Sequence, residues 1–228
     1  MNHPLDAANA LLDFLYPPRC YLCGAVGAYL CEACEAAWPQ PEEPRCPRCG
    51  DPLPVGACRR CSSELSPLAG ASFACVFDDG GREAVHLLKY NAKRRLAAPM
   101  ARAMADSLPE CSGPFDAIVP IALHSSRLRR RGYNQAAWLA GELAGILNAP
   151  EVPWLTRTRA THSQVGLAVG ERARNMEGAF GADPAAAGRR ILLVDDVCTT
   201  GTTAREAARA LVRAGAASVW LLTFARDL

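Results

Sequence analysis

Residues 191–203 read ILLVDDVCTTGTT, and the fold turns on this stretch. Four aliphatic residues in a row, at 191–194, form a strand buried on both faces. Such a strand delivers Asp195 and Asp196 at its carboxyl edge, where open α/β sheets bind ligands. The turn that follows presents backbone N–H groups, the hydroxyls of Thr199, Thr200, Thr202 and Thr203, and the amino terminus of a helix predicted over 203–214. Converging donors and a helix dipole suit a phosphate dianion. Gly201 lets the backbone come close to it. Two carboxylates beside an anion site make sense if the ligand is a sugar phosphate. Ribose hydroxyls then donate to Asp195 and Asp196, and Mg²⁺ offsets the charge nearby. The plainer alternative is helix capping, but a cap needs one such residue, not two acids and four threonines around a glycine. With no Gly-Lys-Ser/Thr ending, the loop is not a Walker loop.

Working outward, Gly215 closes the helix and 218–224 supplies another apolar strand. Upstream, strands are predicted at 73–77 and 117–119, and helices at 81–89 and 96–107. Asn134 can cap a further helix carrying Leu139, Leu143, Ile146 and Leu147 on one face. Strands alternating with helices imply an α/β fold, a parallel sheet flanked by helices.

Ahead of this lies a different kind of sequence. Residues 19–66 are rich in Cys, Pro and Gly and can hardly build a core unaided. Residues 1–18 are read as a lead-in with a short amphipathic helix stopped by Pro17 and Pro18, and 67–228 as the α/β domain. Of eleven cysteines, eight fall in two quartets: Cys20-x-x-Cys23 with Cys31-x-x-Cys34, and Cys46-x-x-Cys49 with Cys58-x-x-Cys61. Each Cys-x-x-Cys turn aims two thiolates at one point, and two turns complete a tetrahedral zinc site. Gly24 and Gly50 sit where a knuckle needs a left-handed residue. Two structural zinc ions follow, with sequential or interleaved pairing of the four turns. A redox reading needs one reactive pair, not four. Of the remaining thiols, Cys75 is expected to pack in a strand and Cys111 to sit in a loop. Cys198, inside the phosphate loop, could act as a nucleophile, but its neighbours already explain the loop.

The formal net charge is +2, divided unevenly: residues 1–65 carry eight acids and five bases, and the rest fifteen and twenty. Eight zinc-bound thiolates would take the whole to about −2, so a global nucleic-acid-attracting field is not implied. No apolar run approaches the roughly 18 residues needed to span a bilayer. The amino terminus lacks a basic start and a cleavage site, so a cytoplasmic protein without disulfides is expected.

The loop resembles the PRPP-binding loop of type I phosphoribosyltransferases. The wider pattern resembles the ComF/GntX family, an N-terminal double zinc ribbon joined to a type I phosphoribosyltransferase domain. Its markers are PPRC at 17–20 with the quartets, Leu88-Lys89-Tyr90, Val119-Pro120, RGYNQ at 131–135, Gln164, Arg172, Asn175 and the loop itself. The resemblance implies PRPP–Mg²⁺ as ligand and transfer of ribose 5-phosphate with loss of pyrophosphate, Asp195 and Asp196 being the catalytic carboxylates. It places Thr199, Thr200, Gly201, Thr202 and Thr203 on the 5-phosphate. Arg127 and Arg131 fall at pyrophosphate positions, and Lys89 is a phosphate contact or a solvated helix residue. Residues 154–180, with Arg157, Thr161, His162, Gln164, Arg172, Arg174 and Asn175, correspond to a hood that closes over PRPP. His162 reads as an ordinary loop histidine.

The family association with natural competence adds a rival from another class: a non-catalytic module that handles single-stranded DNA, or an adaptor to a competence helicase. Arg59, Arg60 and residues 127–131 are then the contact points.

Overall fold

The computed structural model describes residues 17–53, 58, 61, 65–159 and 178–227. The expected helix before Pro17 lies outside these residues. So do Arg59 and Arg60, and Thr161, His162, Gln164, Arg172, Arg174 and Asn175 of the expected hood.

Four strands form one parallel sheet in the order β1-β6-β5-β2, with β1 at Gly70–Val76, β2 at Ala117–Pro120, β5 at Arg190–Cys198 and β6 at Ser218–Arg226. Ile191, Leu192, Leu193 and Val194 are fully buried, as a central strand with no polar face requires. Two apolar layers cover the sheet. On one side Leu192, Val194, Leu222 and Phe224 meet helices α2 (Asp79–Tyr90), α3 (Ala97–Asp106) and α5 (Gln135–Leu147). On the other, Ile191, Leu193, Val219 and Leu221 meet α6 (Thr202–Arg213), a hairpin of β3 (Leu155–Arg157) and β4 (Phe180–Ala182), and the second cysteine quartet.

Local chemistry fixes the element ends. Asp78 caps α2 by accepting the Asp79 amide at 2.8 Å, so that helix starts earlier than expected. Asn134 caps α5 as expected, accepting from Ala136 N at 3.1 Å, while its amide donates to the Ile121 carbonyl at 3.0 Å. The stretch 125–131, for which no helix is predicted, is a seven-residue helix, α4 (Ser125–Arg131), stopped by Gly132 at φ 82°. The three-residue strands β3 and β4 were not expected either, being too short to show a period. The short helix α1 (Glu32–Ala36) is capped by Cys31 and carries Cys34, both of the first quartet. Among the described residues no helix is long and apolar enough to cross a membrane.

At the start of β1 the sheet is tight enough to demand glycine for space. A Cβ on Gly70 would lie 2.3 Å from the indole ring of Trp220 on β6. Trp220 is 7% exposed and donates to Ser72 at 3.2 Å, so it has little room to yield. Gly70→Ala is expected to destabilise the protein by about 1–3 kcal/mol through overpacking. A urea midpoint lowered at unchanged slope is the expected reading.

Candidate functional site

The two ribbons are built alike. In each, the glycine after the first Cys pair is left-handed, with φ 78° at Gly24 and 72° at Gly50. Its amide donates back to the first cysteine: Gly24 N to Cys20 O at 2.9 Å, and Gly50 N to Cys46 O at 2.8 Å. The quartets are sequential: Cys20, Cys23, Cys31 and Cys34 in one, Cys46, Cys49, Cys58 and Cys61 in the other. Within each quartet all four sulfurs lie within 4.8 Å of one another. Tetrahedral zinc with Zn–S near about 2.3 Å asks for sulfurs about 3.8 Å apart, so both quartets fit structural zinc. With four protein ligands each, neither leaves a position for a substrate.

The second centre sits at the carboxyl edge of β5. There a cavity of about 260 Å³ is lined by Lys89, Asp195, the whole run from Thr199 to Thr203, and Phe77 and Thr223. Gly201, at φ 71°, forms the amino-terminal cap of α6, so the threonine run wraps the start of a twelve-residue helix. Thr200 and Thr202 share a hydrogen bond at 3.0 Å between their hydroxyls, and Arg205 reaches Thr202 Oγ1 at 3.5 Å. Thus amides, hydroxyls and a helix dipole converge on one small volume.

The two carboxylates have different partners. Asp196, 2% exposed, meets Lys89 Nζ of α2 at 3.0 Å through Oδ1, while its Oδ2 is buried without a hydrogen bond. Asp195 faces the cavity, and its Oδ1 accepts the Asp196 amide at 2.9 Å. Burial, and then the negative charge of Asp196, push the Asp195 carboxyl up to about 8, although Lys89 opposes this. Burial pulls the Lys89 ammonium down, but Asp196 and Asp195 outweigh it and hold the group above its ordinary value. Lys89 is therefore a cation that lines the cavity while neutralising the carboxylate behind it. The expected choice between phosphate contact and solvated residue omitted this third role.

The arginines stand further out. Arg127 and Arg131 lie on α4, outside the cavity lining. Arg131 donates to Gln135 Oε1 at 2.5 Å and lies over the Tyr90 ring at 5.3 Å. Arg157, on β3 against the Phe180 ring at 5.5 Å, is held down to about 10 by burial and by the charge of Arg127, with Asp195 opposing. These influences place Arg157 and Arg127 within electrostatic reach of one another, and Arg157 within reach of Asp195. Phe77 and Thr223 were missed. Each lies in an apolar strand pattern, and nothing local marks it as a cavity wall. Cys75 is fully buried in β1, and Cys111 is exposed in a short 3₁₀ turn. Cys198 is 5% exposed, with its sulfur accepting from Arg226 Nη1 at 3.3 Å.

A parallel sheet with a threonine-lined cavity at its carboxyl edge, preceded by two tetracysteine knuckles, defines a type I phosphoribosyltransferase fold carrying a double zinc ribbon. Comparison with known proteins agrees: residues 11–63 match the double zinc ribbon domain, and residues 94–228 the phosphoribosyl transferase domain. The chain belongs to the ComF family of phosphoribosyl transferase-domain proteins. It is 34% identical to the DNA utilization protein YhgH of Salmonella typhi, over 93% of this chain and 98% of that one. It is 31% identical to the Escherichia coli K12 protein of the same name, with the same coverage of each. Competence protein F of Haemophilus influenzae is 36% identical over 49% of this chain and 50% of that protein.

The raised Asp195 carboxyl lowers the stability of the fold as pH rises. A group whose folded pKa exceeds its unfolded value, ordinarily 3.8, gives stability that is lost as pH rises through the folded value, here about 8. Asp195→Asn is therefore expected to melt higher than the parent protein. The gap should be absent near pH 4 and widen up to about pH 8–9, as read by calorimetric melting across that range.

Proposed function

We propose that the domain binds PRPP or ribose 5-phosphate together with Mg²⁺ and transfers the ribose 5-phosphate group to a nucleophile, releasing pyrophosphate. One observation carries the reading: a phosphate cradle built from residues 199–203 at a helix start faces the Asp195 carboxylate across a single small cavity. Phosphate alone would leave that carboxyl without a partner. A ribose phosphate satisfies both ends, its 5-phosphate on the amides and threonine hydroxyls and its ring hydroxyls donating to Asp195. The buried, unpartnered Oδ2 of Asp196 is a further acceptor of the kind a hydroxyl donor or a hard cation requires.

In the step itself, the bond from ribose C1 to the pyrophosphate oxygen breaks and a bond from the acceptor's lone pair to C1 forms. The acceptor's proton is lost to solvent or to the departing phosphate. Asp196 supplies negative charge near the ribose as it becomes positive, Asp195 adds to it once the bound ligand and its cation draw off the proton that burial holds there, and Lys89 keeps the pair from repelling the ligand. Asp195 and the unpartnered Oδ2 of Asp196 are the groups that would help hold Mg²⁺, whose charge would offset that on the leaving pyrophosphate. Arg157, whose charge interacts with that of Asp195, and Arg127 add to that effect. Calorimetry with PRPP–Mg²⁺ is expected to show one site per chain. Asp196→Asn and a Thr200→Val, Thr202→Val double variant should each bind about tenfold or more weakly, one charge-assisted hydrogen bond being worth about 1.5–3 kcal/mol. Exchange of labelled pyrophosphate into PRPP in the presence of bases reports turnover. Absence of binding to the zinc-loaded protein would falsify the reading.

A second reading has its own observation. Along a seam between the first ribbon and the end of α2, three aromatic rings each carry a cation: Lys93 on Tyr21 at 4.7 Å, Arg95 on Tyr29 at 5.0 Å and Arg131 on Tyr90 at 5.3 Å. Tyr90 is 66% exposed. Rings flanked by cations are how sequence-tolerant proteins hold single-stranded nucleic acid. The names of the relatives, DNA utilization protein and competence protein, suit such a partner. On this reading a fluorescent single strand binds with salt-sensitive affinity, and Tyr90→Ala weakens it about tenfold, the loss of one stacked base. Binding that ignores both salt and Tyr90 removes this reading and leaves the transferase reading untouched.

A further inference from the structure

We propose that Arg226 and Asp51 are positioning residues for the phosphate loop, and that through them the second zinc ribbon holds residues 199–203 in their ligand-ready shape. The inference rests on the sugar-phosphate reading above and extends it to groups that do not line the cavity.

Arg226 ends β6 directly opposite Cys198, the last residue of β5 before the loop. Its side chain is 3% exposed, so a full guanidinium charge sits inside the protein. That charge is met from two directions. Nε lies 3.0 Å from Asp51 Oδ1, and Nη1 donates to Cys198 Sγ at 3.3 Å. The Phe73 ring lies beneath it, with the centroid at 5.8 Å. The backbone adds a further tie: Asp227 N donates to Cys198 O at 3.0 Å. Cys198 is therefore clamped by side chain and main chain, one residue before Thr199.

Asp51 cannot drift, because it belongs to the zinc knuckle. Its carbonyl accepts the Cys46 amide at 2.9 Å, and it follows Gly50, whose Cβ position lies 2.9 Å from the Phe73 ring. Within the same knuckle Arg48 is bound to the sheet, its carbonyl taking the Ala71 amide at 2.7 Å and its Nε donating to Ala69 O at 2.9 Å. Cys46 and Cys49 lie in one apolar cluster with Leu193, Cys198 and Ala204. The Cys46 quartet, its knuckle, Asp51, Arg226, Cys198 and Thr199 thus form an unbroken chain of contacts. The first ribbon packs elsewhere, Tyr21 and Leu30 resting on the opposite core and Tyr21 and Tyr29 carrying Lys93 and Arg95.

A buried arginine that loses one partner leaves an uncompensated charge, so Arg226 must move or recruit water when Asp51 is neutralised. Either response releases Cys198. Linkage then works in both directions: if an intact second site tightens ligand binding, bound ligand must tighten zinc at the second site by the same factor.

The test uses the full chain with both zinc ions. Ribose 5-phosphate with Mg²⁺ is titrated calorimetrically into the parent protein, Asp51→Asn, Arg226→Met and Asp116→Asn. The last is a control at the far end of β5, where Asp116 pairs with Arg190 at 2.8 Å. In parallel, equilibrium competition with a graded chelator is read by mass-spectrometric alkylation of each cysteine, with and without ribose 5-phosphate. Asp51→Asn and Arg226→Met are expected to bind about tenfold more weakly while retaining two zinc ions, with the control unchanged. In the parent protein the sugar phosphate should protect the Cys46 quartet and not the Cys20 quartet, a linkage that a merely stabilising ion pair would not produce. If Arg226→Met fails to fold, Asp51→Asn and the linkage measurement decide. Tight binding by Asp51→Asn together with no selective zinc protection overturns the positioning role and leaves the sugar-phosphate reading standing. If the parent protein itself binds no ribose 5-phosphate, that reading falls first, and this inference falls with it.

Discussion

The pairing of β5 with β6 is the constraint from which the rest follows. The two strands run parallel from Arg190 opposite Ser218 to Cys198 opposite Arg226. Their interior side chains are almost wholly excluded from water on both faces. Each such side chain contributes about 1.5–3 kcal/mol when buried, but only if something lies above and below it. Helices α2, α3 and α5 cover one face. The other is covered by α6 and, beyond it, by the second ribbon, whose cysteines share a cluster with Leu193 and Ala204. The second ribbon is therefore part of the sheet's cover, while the first lies across the opposite layer. The same register that buries the strands also aligns the phosphate loop with Arg226, so packing and site geometry have a common origin.

At the upper edge of that pair the fold gives up some stability. Two adjacent acids leave one strand, one resting on Lys89 and one facing the cavity with its carboxyl raised by burial and by its neighbour. A domain selected only for stability would have one apolar residue and one cap there. Such local conflicts are where function is expected, because a site must hold groups that its ligand, not the protein, will satisfy.

What the sequence disclosed follows from how local the signals were. The 191–203 loop was legible because a fully apolar strand, two acids and a threonine-glycine run are contiguous, each part having one physical meaning. The knuckles were legible from spacing and their glycines, although pairing of the turns needed three dimensions. Helix α4 was obscured because an arginine run shows no apolar period and its cap is His124, an unusual choice. The hairpin of β3 and β4 was too short to be seen. The partners of charged residues were illegible for a different reason. Lys89 with Asp196, and Asp51 with Arg226, are joined only by the tertiary fold, and no local pattern pairs them. Arg127 and Arg131 were assigned through family resemblance to pyrophosphate. The contacts of Arg131 with Gln135 and Tyr90 show what holds its side chain in place.

Strand order also governs when the molecule can assemble. Within the sheet β1 pairs only with β6, the last of the strands to be made. Ser72 and its partner Trp220 are 148 residues apart. At ribosomal speeds of about 5–20 residues per second, the β1 edge waits roughly seven to thirty seconds for its neighbour. Throughout that interval the emerging polypeptide carries an unpaired hydrophobic strand beside a knuckle already able to capture metal. Synthesis of the last strand, not of the first, is thus the event that closes the sheet.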